Sequence, residues 1–147
     1  MQPTFNRELS AGWFRDRVLL NRTGCGRATR GEVVILRSPE DDEELLIKRI
    51  VGTEGDTVQM AGRPYVVPVG QLWVEGDNSA TSRDSRRFGP VDRSLVEARV
   101  AAKVWPLQDA CFVSRTPLPP HVECASKHKQ RAALVRSLTQ PASLPYT

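Results

Sequence analysis

The sequence predicts an all-β domain, either a small barrel or orthogonally packed antiparallel sheets, followed by a mostly irregular C-terminal tail. Over residues 1–107, short runs rich in β-branched and aromatic side chains alternate with turn residues, and helical periodicity is weak. Many short strands at this spacing are typical of barrels and packed antiparallel sheets. Beyond the Trp-Pro pair at 105–106, prolines and scattered charges replace the large apolar groups. We therefore expect one domain over 1–107 and a tail over 108–147, partly disordered or with a short helix near 126–138.

The individual strands are predicted from apolar runs that end at turn residues. The run Val-Val-Ile-Leu at 33–36 indicates a strand, and the acidic stretch 39–44 indicates a solvated connection rather than a metal site. The Ala-Gly pair at 61–62 predicts the turn of a small hairpin. The start of the last strand is also compatible with a helix. The predicted strands are 16–21, 31–37, 45–52, 57–60, 65–67, 71–75 and 95–105.

Charge and cysteine content exclude several classes of site. Residues 1–107 carry 16 basic and 15 acidic side chains, whereas 108–147 carry 5 and 2, so the net charge of +4 belongs mostly to the tail. The domain lacks the single-sign field that binds phosphate backbones, and we expect no nucleic-acid partner. Both histidines lie in the tail and the 3 cysteines are widely spaced, so the sequence predicts no Ser-His-Asp triad, no metal site and no cofactor. No apolar run approaches the ~18–20 residues of a membrane-spanning helix.

One lysine stands inside an apolar strand. Residues 1–107 contain fourteen arginines but only two lysines, Lys48 and Lys103. Lys48 lies within Leu-Leu-Ile-Lys-Arg-Ile-Val-Gly at 45–52. Burial disfavours an ammonium and lowers the pKa of a lysine, whereas an arginine stays charged and cannot accept a proton. Lys48 is therefore a candidate general base. The alternative is a lysine whose stem lies on the sheet while its amine reaches water.

The polar loop 79–87 is the second candidate segment. Ser82, Asp84 and Arg86 alternate along it, so an extended backbone would direct all three side chains to one face. Asp84 and Arg86 would then pair and hold the loop, which leaves Ser82 to hydrogen-bond a lysine amine. Considered alone, the segment is also compatible with an ordinary solvated loop.

Met-Gln-Pro-Thr stands at 1–4, Ile-Lys-Arg-Ile-Val-Gly at 47–52, and Gly-Asp-Asn at 76–78 is followed by Ser-Arg-Asp-Ser-Arg at 82–86. Together these three segments resemble the type I signal peptidase family, in particular its mitochondrial inner membrane protease branch, and there subunit 2 more than subunit 1. Met-Gln-Pro-Thr at 1–4 matches the residues that follow the nucleophile in the family motif Ser-Met-x-Pro-Thr. Ile-Lys-Arg-Ile-Val-Gly at 47–52 matches the lysine motif. Gly-Asp-Asn at 76–78 and Ser-Arg-Asp-Ser-Arg at 82–86 match the third motif. The resemblance covers residues 1–107.

The resemblance implies a signal-peptidase-like fold and a serine endopeptidase of the Ser/Lys dyad type, which removes presequences from proteins sorted to the mitochondrial intermembrane space. It implies that Lys48 is the general base, that Ser82 orients its amine, and that Asp84 with Arg86 braces the loop. It also implies precursor proteins as substrates, a second protease subunit as partner, and a location on the intermembrane-space side of the inner membrane. The residues that it implies in substrate binding are Met1, Pro3, Ile47 and Ile50.

The nucleophilic serine of this family would immediately precede Met1, where the sequence begins. The chain as written is therefore expected to be inactive, because Ser10 lies too far along the chain to substitute. Two interpretations stay open: a sequence that starts at an internal methionine of a longer enzyme, which is favoured, or a genuine short form without catalysis. The alternative function is a non-catalytic β-module, such as a partner subunit of an inner-membrane protease complex.

Overall fold

The computed structural model describes residues 16–113, 115 and 122–123, most of which lie in antiparallel strands or the turns between them. One turn of α-helix, α1, and three short 3-10 turns occur among these residues. The strands are β1 Arg17–Asn21, β2 Val33–Arg37, β3 Leu45–Thr53, β4 Thr57–Met60, β5 Arg63–Val66, β6 Gln71–Glu75, β7 Val91–Asp92, β8 Val96–Trp105, β9 Cys111–Phe112 and β10 Val122–Glu123, and α1 is Ser85–Phe88.

The larger sheet has the strand order β1-β8-β2-β3-β6-β7, and β9 extends it by pairing with β8. All of its pairings are antiparallel. The central strand β3 pairs with β2 along its first half and with β6 along its second half. The two pairings overlap at Arg49, which has a cross-strand partner on both edges of β3.

The smaller sheet, in the order β10-β4-β5, packs against the second half of β3. Its hairpin turns through Ala61 and Gly62, which both have positive φ (51° and 77°). Two such residues are typical of a type I′ turn, whose twist suits a two-residue hairpin. Gly52 marks the contact, since a Cβ there would lie 3.1 Å from Trp73 Cβ and 3.2 Å from Val58 Cγ1. A larger residue at position 52 would push the two sheets apart.

The main core lies on the face of the larger sheet that carries Leu46 and Ile50 of β3. Leu46 packs against this core, and so does Phe88 of α1. The buried members of the cluster are Ala28, Val34, Leu36, Ile50, Leu72, Val74, Val91 and Val96. Because side chains alternate along a strand, Lys48 belongs to this same face.

The predicted all-β, antiparallel fold is confirmed, and the predicted strand boundaries agree with the observed ones to within two residues. A 3-10 turn over 93–95, capped where Asp92 accepts the Ser94 N–H at 2.8 Å, precedes β8. From the predicted tail, β9 pairs with β8 and β10 pairs with β4. The boundary at 107 stays a prediction, and the helix expected near 126–138 lies outside the described residues. In the part of the chain that the structure describes, no helix is long and apolar enough to cross a membrane.

Candidate active site

The Lys48 side chain lies on the face of β3 that carries the main core. Its cross-strand neighbour on β2 is Val34, and the next residue on its own face of β3 is Ile50, both fully buried. Lys48 itself is only 9% exposed. The position therefore withholds most of the water that would stabilise an ammonium.

The Lys48 amine meets a hydroxyl rather than a carboxylate. Nζ donates to Ser82 Oγ at 3.0 Å, and among the described residues Lys48 forms no ion pair. Burial lowers the pKa of Lys48 below its ordinary value of 10.5, although the negative charges of Asp84 and Glu44 act in the opposite direction. The positive charges of Arg83 and Arg86 add to the lowering. The site thus disfavours the ammonium relative to that of an exposed lysine, which is the direction that a general base requires.

Asp84 holds the other side of Ser82. Its buried carboxylate accepts the Gly76 N–H at 2.9 Å and the Arg86 Nε–H at 2.9 Å, and it caps α1 by accepting the Arg86 backbone N–H. Burial by itself would raise the pKa of Asp84, but hydrogen bonds from Arg86, Gly76 and the Ser82 hydroxyl outweigh it and lower the pKa. Because the Ser82 hydroxyl donates to Asp84, its oxygen is oriented to accept from Lys48.

Gly76 is the residue that lets Ser82 approach. A Cβ built at Gly76 would overlap Ser82 Oγ and approach Ser82 Cβ to 2.7 Å. At the same edge of β6, the Val74 N–H donates to Ser85 Oγ at 2.9 Å. The side chains of Ser85 and Asp84 therefore satisfy the backbone N–H groups of Val74 in β6 and of Gly76 directly after it.

An arginine on the opposite face of β3 fixes the start of the same loop. Arg49 donates from Nε to Asp77 Oδ1 and from Nη2 to Asp77 Oδ2, each at 3.0 Å, and from Nη1 to the Gly31 carbonyl at 2.9 Å. Such two-point pairing is geometrically specific. The loop between β6 and α1 is thus attached at both ends, by Asp77 and by Asp84.

The structure brings together four of the predicted site residues: Lys48, Ser82, Asp84 and Arg86. The extended path assumed for 82–86 is wrong beyond Asp84, because Arg86 lies in α1 and its side chain reaches back to the cap. The pairing of Asp84 with Arg86, expected from an extended backbone, is made instead by a helical turn.

Two of the four residues predicted to bind substrate, Ile47 and Ile50, are described by the structure, and they lie on opposite faces of β3. Ile50 shares the face of Lys48 but is fully buried in the main core. Ile47 lies on the opposite face, where it packs with Val33 and Val100. Met1 and Pro3 lie outside the described residues. Substrate binding by these four residues stays a prediction.

The motifs that form this site fall within one family match. The sequence model of signal peptidase, peptidase S26, matches residues 6–66 and 62–105, which include Lys48 and the segment from Ser82 to Arg86. The chain belongs to the signal peptidase family.

The relatives of this signal peptidase family member include both subunits of the mitochondrial inner membrane protease. Subunit 2 of Schizosaccharomyces pombe is 47% identical over 116 residues, which cover 75% of this chain and 62% of that protein. Subunit 1 of the same organism is 40% identical over 114 residues, covering 72% and 68%. The ATP-independent inner membrane protease subunit 1b of Arabidopsis thaliana is 42% identical over 99 residues, covering 62% and 59%. The predicted resemblance to the mitochondrial branch is confirmed.

The match covers only part of the length of each of these relatives. The chain spans 59% and 62% of the lengths of the Arabidopsis and Schizosaccharomyces subunits that match it. A crystal structure of signal peptidase I from Enterococcus faecalis V583 superposes with a TM-score of 0.43 at 23% identity, covering 50% of this chain and 96% of that one.

Several contacts of the site are not predicted by the sequence. The Arg49–Asp77 pair joins two of the quoted motifs, and the Ser85 hydroxyl bonds β6, yet neither role was inferred. The close approach of Ser82 to Gly76 was missed as well. A glycine directly after a buried strand was the available signal for that approach.

Proposed function

We propose that this domain supplies the general base and its supporting residues to a serine endopeptidase of the Ser/Lys type. The single observation that carries the proposal is the Lys48 amine: it is buried, it has a hydroxyl as its hydrogen-bond partner, and burial lowers its pKa. Membership of the signal peptidase family supports the assignment to peptide-bond hydrolysis.

In the proposed mechanism, Lys48 removes the proton from a serine hydroxyl as its oxygen attacks the scissile carbonyl. The same proton passes to the leaving amine as the peptide bond breaks, and a water molecule then hydrolyses the acyl-enzyme with Lys48 again as base. Ser82 keeps the amine pointed at the nucleophile, while Asp84 with Arg86 braces Ser82. The serine belongs directly before Met1, and its own backbone N–H contributes to the stabilisation of the oxyanion.

The proposed substrates are precursor proteins with cleavable presequences, and the proposed location is the intermembrane-space side of the mitochondrial inner membrane. The names of the relatives, which are mitochondrial inner membrane protease subunits 1 and 2, support the inner-membrane location, whereas the substrates and the side of the membrane follow from the family resemblance. The names also support a complex with a second protease subunit. The identity with the Schizosaccharomyces proteins is 47% for subunit 2 and 40% for subunit 1, which favours a subunit 2-like role.

The test compares two polypeptides on a peptide that carries a presequence cleavage site. A polypeptide of residues 1–147 alone should not cleave it, because the proposed nucleophile lies outside those residues. A form extended at the N-terminus with that serine and an apolar membrane segment should cleave it and should form an acyl-enzyme.

The control variants are Lys48→Ala and Lys48→Arg in the extended form, and both should be inactive because neither side chain accepts a proton. Full activity of Lys48→Arg would overturn the assignment of the base. Absence of cleavage by a folded extended form would instead favour a non-catalytic module.

A further inference from the structure

The acidic connection between β2 and β3 is an ordered turn that faces the Ser82 loop. The Ser38 N–H donates to the Glu44 carbonyl at 2.8 Å, which continues the β2–β3 ladder, and the Glu44 N–H donates to the Asp41 carbonyl at 3.1 Å. The Glu40 N–H donates to Ser38 Oγ at 3.3 Å. The backbone therefore fixes where the Glu40 and Glu44 carboxylates emerge.

Those two carboxylates hold one arginine, the residue directly after Ser82. Arg83 Nη2 lies 2.8 Å from Glu40 Oε2 and 3.4 Å from Glu44 Oε2. We call this set the Arg83 clamp: Arg83, Glu40 and Glu44. It is an attachment of the loop that is separate from Asp77 and Asp84.

The Arg83 clamp is too exposed to be a major source of global stability. The Arg83 side chain is 46% exposed and those of Glu40 and Glu44 are 40% and 37% exposed. Exposed ion pairs contribute little because water and salt screen them and both side chains lose entropy. The effect of the clamp should instead be local, on the residue next to Arg83.

Four charged groups face the Lys48 amine from the surrounding elements. Asp84 and Arg86 belong to the cap and first turn of α1, Arg83 to the loop before it, and Glu44 to the β2–β3 connection. Asp84 and Glu44 favour the ammonium, whereas Arg83 and Arg86 disfavour it. Within the Arg83 clamp, Arg83 thus lowers the pKa of Lys48 and Glu44 raises it.

We propose that Arg83, held by Glu40 and Glu44, is a positioning residue that keeps Ser82 in hydrogen-bond contact with Lys48 Nζ and that its positive charge offsets the negative charge of Glu44 at that amine. The catalytic consequence rests on the proposed function, whereas the effect on the amine does not. Loss of the clamp releases the exposed side of the loop, while Asp77 and Asp84 still hold its ends.

The first experiment measures the pKa of Lys48 by NMR of its ε-carbon in the 1–147 polypeptide, where no catalysis is needed. Arg83→Ala should raise the pKa of Lys48, because it removes a cation and leaves Glu44 without that partner. Glu44→Gln should lower the pKa of Lys48, because it removes an anion. Arg115→Ala removes an ion pair between another exposed arginine and the mostly buried Glu32, and it should leave the pKa of Lys48 unchanged. Shifts of the same sign, or none, for Arg83→Ala and Glu44→Gln would overturn the proposal.

The second experiment uses the serine-bearing extended form. Arg83→Ala should lower kcat with little change in KM, and the acid limb of the kcat/KM profile should move to higher pH. The loss near neutral pH should reach up to about 100-fold, the scale that misplacement by ~1 Å produces. Arg83→Lys keeps the positive charge but lacks the planar guanidinium that can pair with two carboxylates. It should therefore recover part of the lost kcat.

The positioning role of Arg83 and the protease assignment can be overturned by different results. Cleavage by Arg83→Ala with an unaltered pH profile would overturn the positioning role and leave the protease assignment intact. Opposite pKa shifts in 1–147, together with an inactive extended form, would support the clamp and overturn the protease assignment.

Discussion

Lys48 and Lys103 are both buried on central strands of the larger sheet, at 9% and 6% exposure, but their partners differ. Lys103 Nζ lies 2.9 Å from Asp16 Oδ2 and 3.8 Å from Asp109 Oδ2. Lys48 Nζ donates to the Ser82 hydroxyl and forms no ion pair among the described residues. Carboxylates compensate an ammonium for the water that it loses, whereas a hydroxyl compensates it only in part.

The difference shows that burial alone does not make a lysine a base. Lys103 is buried to a similar extent, but it forms an ion pair with Asp16. At Lys48, the Asp84 carboxylate is engaged by Arg86 and Gly76, and Ser82 links it to the amine. The partner of each amine therefore separates a structural lysine from a candidate catalytic one.

The largest expected contrast is in activity. In the serine-bearing form, Lys48→Arg should lower kcat/KM by about 10²–10⁴-fold, the usual contribution of a general base. Lys103→Arg should retain activity, because a guanidinium can still pair with Asp16. Steady-state kinetics on a presequence peptide measure both. Equal losses in the two variants would remove the distinction between the lysines.

The second contrast is in stability. Lys103→Met should lower the free energy of unfolding by about 2 kcal/mol, because the charged hydrogen bond between Lys103 and Asp16 is lost. Lys48→Met should instead raise it by about 1 kcal/mol, since a buried amine with little charge compensation is replaced by an apolar chain. Urea unfolding of the 1–147 variants measures both values.

The gain from Lys48→Met should also depend on pH. The pKa of Lys48 in the folded state is below its unfolded value of 10.5, so the unfolded chain keeps its proton to higher pH. Wild-type stability therefore rises with pH through the window between the two values, and the advantage of the variant shrinks there. An advantage that grows with pH in that window would contradict the lowered pKa.

Asp84→Asn should cost about 2 kcal/mol, because the buried acceptor loses its charge while Gly76 and Arg86 keep their donors in place. The pKa of Asp84 in the folded state is lower than its ordinary value of 3.8. The wild-type advantage is therefore complete above that value and is lost as pH falls through the folded-state pKa. Asp92→Asn alters an exposed cap and should change stability much less. Similar effects of the two substitutions on thermal unfolding would contradict this account.

The smallest effect is expected from Gly76→Ala, at about 1 kcal/mol, because the new methyl displaces Ser82. The pKa of Lys48 should respond as well, since Ser82 can no longer stay at the same place. Gly26→Ala is the matched control, because a Cβ at Gly26 meets nothing within 4 Å. If both substitutions leave Lys48 unchanged, the contact at Gly76 does not position Ser82.

Much of this arrangement could be predicted from the sequence, for identifiable reasons. Strands such as β2 and β3 are rich in β-branched residues and end at turn residues, so their limits were predicted well. Lys48 and Ser82 were found because a lysine in an apolar strand and a polar loop match family motifs. Arg83 was missed because its two glutamates lie about forty residues away, in a stretch that resembles any solvated loop. The turn α1 was missed because one turn leaves too little periodicity to detect.

The most direct test of the central claim is the NMR titration of Lys48 in folded 1–147 and in the same chain unfolded in urea. The account predicts that the folded chain titrates below the ordinary lysine value of 10.5 and that unfolding restores this value. A Lys48 amine that titrates at or above 10.5 in the folded chain would contradict the account.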